Sequence, residues 1–331
     1  MRAIQISAVD RLEILPVPDP IPAAGEAIVA IRAAALNHRD VWIKTGEYAG
    51  LKWPCIPGSD GAGVVIAVGE GADPTWIGRE VVINPSLDWG DNEHAQGGKF
   101  SILGLPRHGT LAEQVSVPVA QLSPKPAHLS WEEAAALPLA GLTAWRAVSS
   151  RGQLKGGERM LITGVGGGVA VFALQFAVPH GAEVWVTSSS TEKIARAVEL
   201  GAKGGANYTT ADWAKGLKEA VGGFDLIVDS AGGQGFESLF ELTTPGGRIV
   251  SYGATRGNPP VLPMRKIFWR QISLLGTTMG SPADWWAMTS YVTQYRLKPI
   301  VSEVLPFDRA GDAFDLMQRG GQFGKIVVRV A

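Results

Sequence analysis

The chain has 331 residues, of which 46% are apolar and 18% charged, and a formal net charge of −1. This length and apolar share support two domains with sizeable cores, and the charge balance provides no basic face for nucleic acid. No run of about 18 apolar residues marks a membrane span, and the single cysteine, Cys55, excludes an intramolecular disulfide and any thiolate cluster.

Residues 1–126 carry short β-patterned runs (Ala27 to Ala33, Gly63 to Val68, Glu80 to Asn84, Glu113 to Val117) cut by glycine and proline. Pro16, Pro18, Pro20 and Pro22 make an extended connector that cannot be helical. A β-rich domain is expected here. Further on, the apolar run Met160-Leu161-Ile162 stops at Thr163-Gly164-Val165-Gly166-Gly167-Gly168, and an apolar helical pattern follows at once from Val169. That is how a buried parallel strand reads when it turns tightly into a helix. Glycines permit the backbone angles of the turn, and the bare N–H groups of the helix start suit a diphosphate.

The spacing is Gly164-x-x-Gly167-x-x-Ala170 and not a clean G-x-G-x-x-G, so a flexible glycine loop is the alternative. Context favours the turn. Strand patterns recur at Glu183 to Thr187, Asn207-Tyr208, Phe224 to Asp229, Gly247 to Tyr252 and Ile272 to Gly276, with helical segments between most of them. Residues 127–280 are therefore predicted to form a doubly wound α/β domain with a parallel sheet. It would hold a dinucleotide on Gly164, Gly166, Gly167, Gly168 and Val169. Ser230 and Gly253 end the fourth and fifth strands, at the edge where the cofactor must lie.

The end of the second strand discriminates between dinucleotides. It runs into Thr187-Ser188-Ser189-Ser190-Thr191-Glu192-Lys193, with no carboxylate at the tip to bind free ribose hydroxyls. Ser188 and Ser189 offer hydroxyls and Lys193 a positive charge to a 2′-phosphate, so NADP(H) is the expected cofactor. The serines also read as a helix N-cap with Lys193 in its first turn. From Ser281 the pattern leaves the sheet: a helix carries Trp285, Trp286 and Tyr291, and Lys325 to Val330 form a last strand. Residues 281–331 are expected to return to the first domain, which makes the nucleotide domain an insertion.

Four stretches resemble the medium-chain dehydrogenase/reductase superfamily: Ala35-Leu36-Asn37-His38-Arg39-Asp40, Pro57-Gly58-Ser59-Asp60-Gly61-Ala62-Gly63, the glycine turn, and Pro245-Gly246-Gly247-Arg248-Ile249-Val250. Phe323-Gly324-Lys325-Ile326-Val327 matches as well, and the chain is most similar to the quinone oxidoreductase-like branch. The resemblance implies a Rossmann domain inserted in a GroES-like β-rich domain and a homodimer through an edge of the Rossmann sheet, and the composition with its single cysteine fits a cytoplasmic enzyme. Zinc-dependent relatives hold the metal with cysteine and histidine; the matching positions here are Asn37, Ser59 and Leu139, and the lobe from Leu87 to His108 has no cysteine for a structural zinc. An amide, a hydroxyl and an alkyl group cannot replace those ligands, so no metal is expected.

A zinc-free site with NADPH can still pass hydride to quinones or α,β-unsaturated carbonyls, whose conjugation spreads the incoming charge. The resemblance puts Asn37 beside the nicotinamide or the acceptor carbonyl, and gives Asp40 the role of anchoring local structure and orienting the cofactor ribose. Tyr48 matches a tyrosine proton donor of enoyl-thioester reductases, and Thr143 matches a contact with the nicotinamide end. Tyr208 resembles the tyrosine of the 2′-phosphate site. Asn37, Tyr48, Thr143 and Tyr208 also have plain structural readings: turn asparagine, packing tyrosine, back-bonded helix threonine, strand-end aromatic. Lys325 reads either as a cofactor contact or as a surface lysine before a strand. Two other functions fit the sequence: an alcohol or aldehyde oxidoreductase using His38, Asp60 or His94 as unusual ligands, and a non-catalytic NADPH-binding sensor.

Overall fold

A computed structural model describes residues 1–331, which divide into two compact units. The first joins Met1–Ala140 to Ser281–Ala331 and the second is Gly141–Gly280. The first unit begins with β1 (Arg2–Ala8) and β2 (Arg11–Pro16), an antiparallel pair, followed by β3 (Glu26–Ala35), α1 (His38–Thr45) and β4 (Asp60–Val68). Then come β5 (Glu80–Ile83), the short pair β6 (Ser86–Leu87) and β7 (Ser101–Ile102), β8 (Gln114–Pro118), β9 (Leu122–Pro124) and α2 (Trp131–Ala136).

The long apolar strand β3 is the axis of this unit. It pairs antiparallel with β4 and β8. The unit's core gathers Ile31, Leu36, Ile43, Val65, Phe314 and Val328. Helix α2 is stapled by a reciprocal cap, in which the Glu133 N–H donates to Ser130 Oγ (3.1 Å) and the Ser130 N–H to the Glu133 carboxylate (2.8 Å). It packs on β3 and β4, so the unit runs to Ala140, beyond the boundary at 126 that the strand pattern suggested.

Helix α3 (Pro138–Trp145) leads to the second unit, made of β10 (Arg159–Ile162), α4 (Gly168–Ala177), β11 (Glu183–Ser188), α5 (Thr191–Glu199), β12 (Gly204–Asn207), α6 (Trp213–Val221), β13 (Phe224–Asp229), α7 (Phe236–Leu242), β14 (Thr243–Ser251), α8 (Met264–Arg270) and β15 (Ser273–Gly276). The six strands form one parallel sheet in the order β12-β11-β10-β13-β14-β15. The order reverses beside β10, whose C-terminal end opens into the glycine turn, as dinucleotide folds require. Leu161, Phe224, Ile227, Phe240 and Ile249 supply its core. The third strand lies earlier than Asn207-Tyr208, because Gly204 to Asn207 pair with Trp185 to Ser188.

The tail provides α9 (Pro282–Gln294), β16 (Val301–Pro306), α10 (Ala310–Arg319) and β17 (Lys325–Arg329). It does return to the first unit: β17 runs antiparallel to β3, with Val327 opposite Ala35 and Arg329 opposite Ala33. Trp285 is buried in that unit and donates to Ser123 Oγ (2.7 Å), whereas Trp286 is exposed. No helix is long and apolar enough to cross a membrane.

Candidate active site and cofactor turn

The pairing of β17 with β3 brings the two chain ends of the first unit together. The Leu36 N–H donates to Ile326 O (3.0 Å), and this places Lys325 beside Leu36 and Asn37 at the start of α1. Lys325 is 3% exposed. The expectation of a surface lysine is corrected here: its ammonium donates to Leu36 O (2.7 Å), Asn37 Oδ1 (2.6 Å) and Asp60 Oδ2 (2.9 Å). As a partner of these three groups it is a structural member of the first unit, 288 residues from Asn37 in the chain. Asp60 is fully buried, and its carboxylate also accepts from Asn37 Nδ2 (2.9 Å) and the Leu139 N–H (2.7 Å). Burying the charges is tolerable because each is paired and hydrogen-bonded.

Asp40 lies next to this network. Its carboxylate accepts the N–H groups of Asn37 (2.8 Å) and Gly58 (3.1 Å), so it ties the start of α1 to the turn before β4. Burial pushes its carboxyl above the usual range, opposed by the Arg39 charge and the two N–H groups. Gly58 has φ +96°, and a side chain there would meet the backbone of Leu111.

Arg39 is the residue that sequence reasoning missed. An arginine in a polar stretch reads as surface, yet this one is buried and donates to Ser59 Oγ (2.7 Å) and Leu103 O (2.8 Å). Its guanidinium also lies 4.9 Å from the centre of the Tyr48 ring, with Nε donating to the Tyr48 hydroxyl (3.3 Å). A phenol oxygen that accepts from a cation keeps its own proton for another acceptor. Ser59 is consumed too, since its hydroxyl donates to Leu103 O (2.8 Å). Cys55 is buried, and burial pushes its thiol up to about 11, which makes it inert. His94 is exposed in the lobe.

Asn37, Asp40 and Lys325 thus stand together, and Tyr48 is tied to Arg39 of helix α1, all in the first unit. Thr143 belongs to the second, where it is buried with its hydroxyl 3.9 Å from the Met279 sulfur. The nucleotide-side residues gather around the turn after β10. The Val165 N–H donates to Thr187 O (2.7 Å) and the Gly164 N–H to Thr187 Oγ1 (3.2 Å), tying the turn to β11. Gly164 (φ +64°) and Gly167 face open space where any side chain would intrude. Gly167 caps α4, whose first residues are Gly168 and Val169.

At Gly166 (φ +131°) a Cβ would come within 2.8 Å of Lys193 Cδ, so the lysine stem lies across the turn. Burial, with Arg196 nearby, pushes the Lys193 ammonium below its usual range. Ser190 caps α5 by accepting from the Lys193 N–H (3.2 Å). Ser188 is buried and Ser189 exposed. Tyr208 follows β12 with Arg256 5.3 Å from its ring centre, and the Thr255 N–H donates to Ser230 O (3.0 Å) beside Gly253. An open glycine cradle at a helix start beside a lysine fits a dinucleotide diphosphate.

A six-stranded parallel sheet with this turn defines a dinucleotide-binding fold. The zinc-binding dehydrogenase model matches residues 168–294 and the alcohol dehydrogenase GroES-like domain model residues 23–127. A zinc-type alcohol dehydrogenase-like protein of Leptosphaeria maculans is 35% identical over 96% of this chain and 94% of its own. The crystal structure of an NAD-dependent alcohol dehydrogenase superposes with a TM-score of 0.94 at 41% identity over all of both chains. A 2-octenoyl-CoA carboxylase reductase in complex with NADP and 2-octenoyl-CoA gives 0.89 at 26% identity, covering 99% of this chain and 87% of that one. The chain belongs to the medium-chain dehydrogenase/reductase superfamily and is an oxidoreductase of that type.

Those names raise the question of zinc. The residues at this centre do not fit it: Asn37, Ser59 and Leu139 offer no thiolate or imidazole, and Asp60 is already paired with an ammonium. No group of three His, Cys, Asp or Glu side chains is placed to hold a metal.

Proposed function

We propose that the protein is a zinc-independent, NADPH-dependent reductase of quinones or α,β-unsaturated carbonyls, of the quinone oxidoreductase-like branch. The observation that carries this reading is the Lys325–Asp60–Asn37 centre, where a buried ammonium is paired with Asn37, the amide at a position where zinc-dependent relatives hold a metal ligand. Without a Lewis acid to lower an alcohol's pKa, oxidation of simple alcohols lacks its driving group. An acceptor that delocalises the incoming charge needs only placement and a hydrogen-bond donor.

The dinucleotide, when bound on the glycine turn, supplies the hydride. The chain's residues do the rest. The Asn37 amide donates to the acceptor oxygen as negative charge develops there. For an enone, hydride adds at the β carbon, the alkene pair moves to the oxygen, and the resulting enolate takes a proton at the α carbon. Tyr48, held by Arg39 through its oxygen, delivers that proton, or water does; Tyr48→Phe decides, since intact enone turnover would leave water as the donor. Asp40 keeps the start of α1 in register with the turn at Gly58. Thr143 contacts the nicotinamide end.

The phosphate end supports NADP(H). Lys193 overlies the turn, Ser188 and Ser189 stand at the strand tip, and Tyr208 with Arg256 flanks them. Lys193→Ala is expected to weaken NADPH binding roughly tenfold and NADH binding far less. Equal losses for both would assign Lys193 to the diphosphate that the two cofactors share and remove its support for NADP(H). A homodimer completes the proposal: β15 is one of the two edge strands of the sheet, with Leu274 exposed, and sedimentation of the native chain reads it directly.

A further inference from the structure

Lys325 has three ammonium protons and three acceptors. Leu36 O, Asn37 Oδ1 and Asp60 Oδ2 take one each, at 2.7, 2.6 and 2.9 Å. With every proton committed, it has none to give to a substrate. Its effect must pass through its partners, and the partner it constrains most is Asn37.

An asparagine amide has one oxygen and two N–H donors. Here the oxygen faces the ammonium and one N–H faces Asp60 Oδ2. Turning the amide over would set its NH2 against the ammonium and its carbonyl against the carboxylate. Both contacts would be repulsive in a buried setting where charges are poorly screened. The ion pair therefore fixes the amide in one orientation, and the second N–H is left without a partner in the chain. The ammonium on the carbonyl oxygen also polarises the amide, which strengthens that remaining donor.

We propose that Lys325 is a positioning residue that takes the place of a metal ion as the fixed positive charge of this centre. It holds Asn37 so that a single amide N–H is kept for the acceptor oxygen. The use of that N–H rests on the reductase reading above; the fixed orientation does not.

Two measurements test it. In Lys325→Met, kcat with a quinone or enone should fall roughly tenfold or more, as expected for a misplaced reacting group, while KM for NADPH and acceptor stays within about twofold. Should that variant fail to fold, the neutral pair Lys325→Met/Asp60→Asn carries the same criterion. A folded variant that keeps native kcat overturns the proposal, as does one whose loss lies wholly in cofactor affinity. The orientation is read without turnover in protein labelled with 15N-asparagine. The two side-chain amide protons of Asn37 should exchange with solvent at different rates in the native chain, and Lys325→Met should bring the rates together. Equal rates in the native chain overturn the proposal. Unequal rates in a native chain that reduces neither acceptor keep Lys325 as the positioning group and sink the reductase reading instead.

Discussion

Replacing Asp60 by alanine is expected to destabilise the protein by about 3–5 kcal/mol, the usual cost of removing one partner of a buried ion pair. Asp60 is fully buried and Lys325 nearly so, so the site of the lost carboxylate lies out of contact with bulk water. The change strands the ammonium with two neutral acceptors and leaves the Leu139 N–H and the Asn37 amide without the oxygen atoms they now donate to. Adding Lys325→Met removes the stranded charge, so the double variant should regain much of the loss in a denaturant titration. A coupling this large is confined to residues that share a network. A loss below about 1 kcal/mol for Asp60→Ala, the range of exposed pairs, would mean that water reaches the centre and that Lys325 is not its resident cation.

The second large effect is on turnover. Asn37→Ala is expected to lower kcat roughly 100-fold, as when one donor to a developing oxyanion is removed. NADPH affinity should be little changed, because the glycine turn and Lys193 lie in the other unit. Asn37 also precedes α1 as its cap residue and bonds the buried Lys325 and Asp60 groups, so the variant is expected to lose about 1–3 kcal/mol of stability, and kcat is read on protein shown to be folded. Native-like kcat in a folded Asn37→Ala protein would remove the amide from the chemistry and leave it as a turn residue.

Different physical signals made these two halves unequally legible in the sequence. The cofactor turn was readable because its constraints are local: strand, glycines and helix follow one another within about twenty residues, and each shows in residue type. The parallel α/β class followed from the alternation, whereas the strand order did not, and Phe224 to Asp229 form a strand over the very span read from their pattern. The candidate centre around Asn37 was read only in part. Asn37 and Ser59 stood out through the ligands they lack, but their use by Lys325 and Arg39 depends on contacts that no periodicity encodes. Lys325 precedes an apolar strand, where a lysine is ordinarily solvated; only the antiparallel register of β17 on β3 carries it inside. Helix α1 was missed for a related reason. Its buried face includes Arg39 and Asp40, polar residues that break the apolar stripe by which a helix is recognised. The boundary at 126 falls beside the end of the GroES-like match at residue 127, and the first unit runs on to Ala140 because α2 packs on β3 and β4.

The central claim is that hydride transfer here needs no metal. The direct measurement is NADPH oxidation by chelator-treated protein, with a simple quinone and a short-chain enone tested in parallel and zinc added back to a second sample. Turnover that survives chelation and gains nothing from zinc is the predicted result. Activity that disappears with the chelator and returns with stoichiometric zinc would contradict the account, and would require that a metal displace the Lys325 ammonium from Asn37 and Asp60.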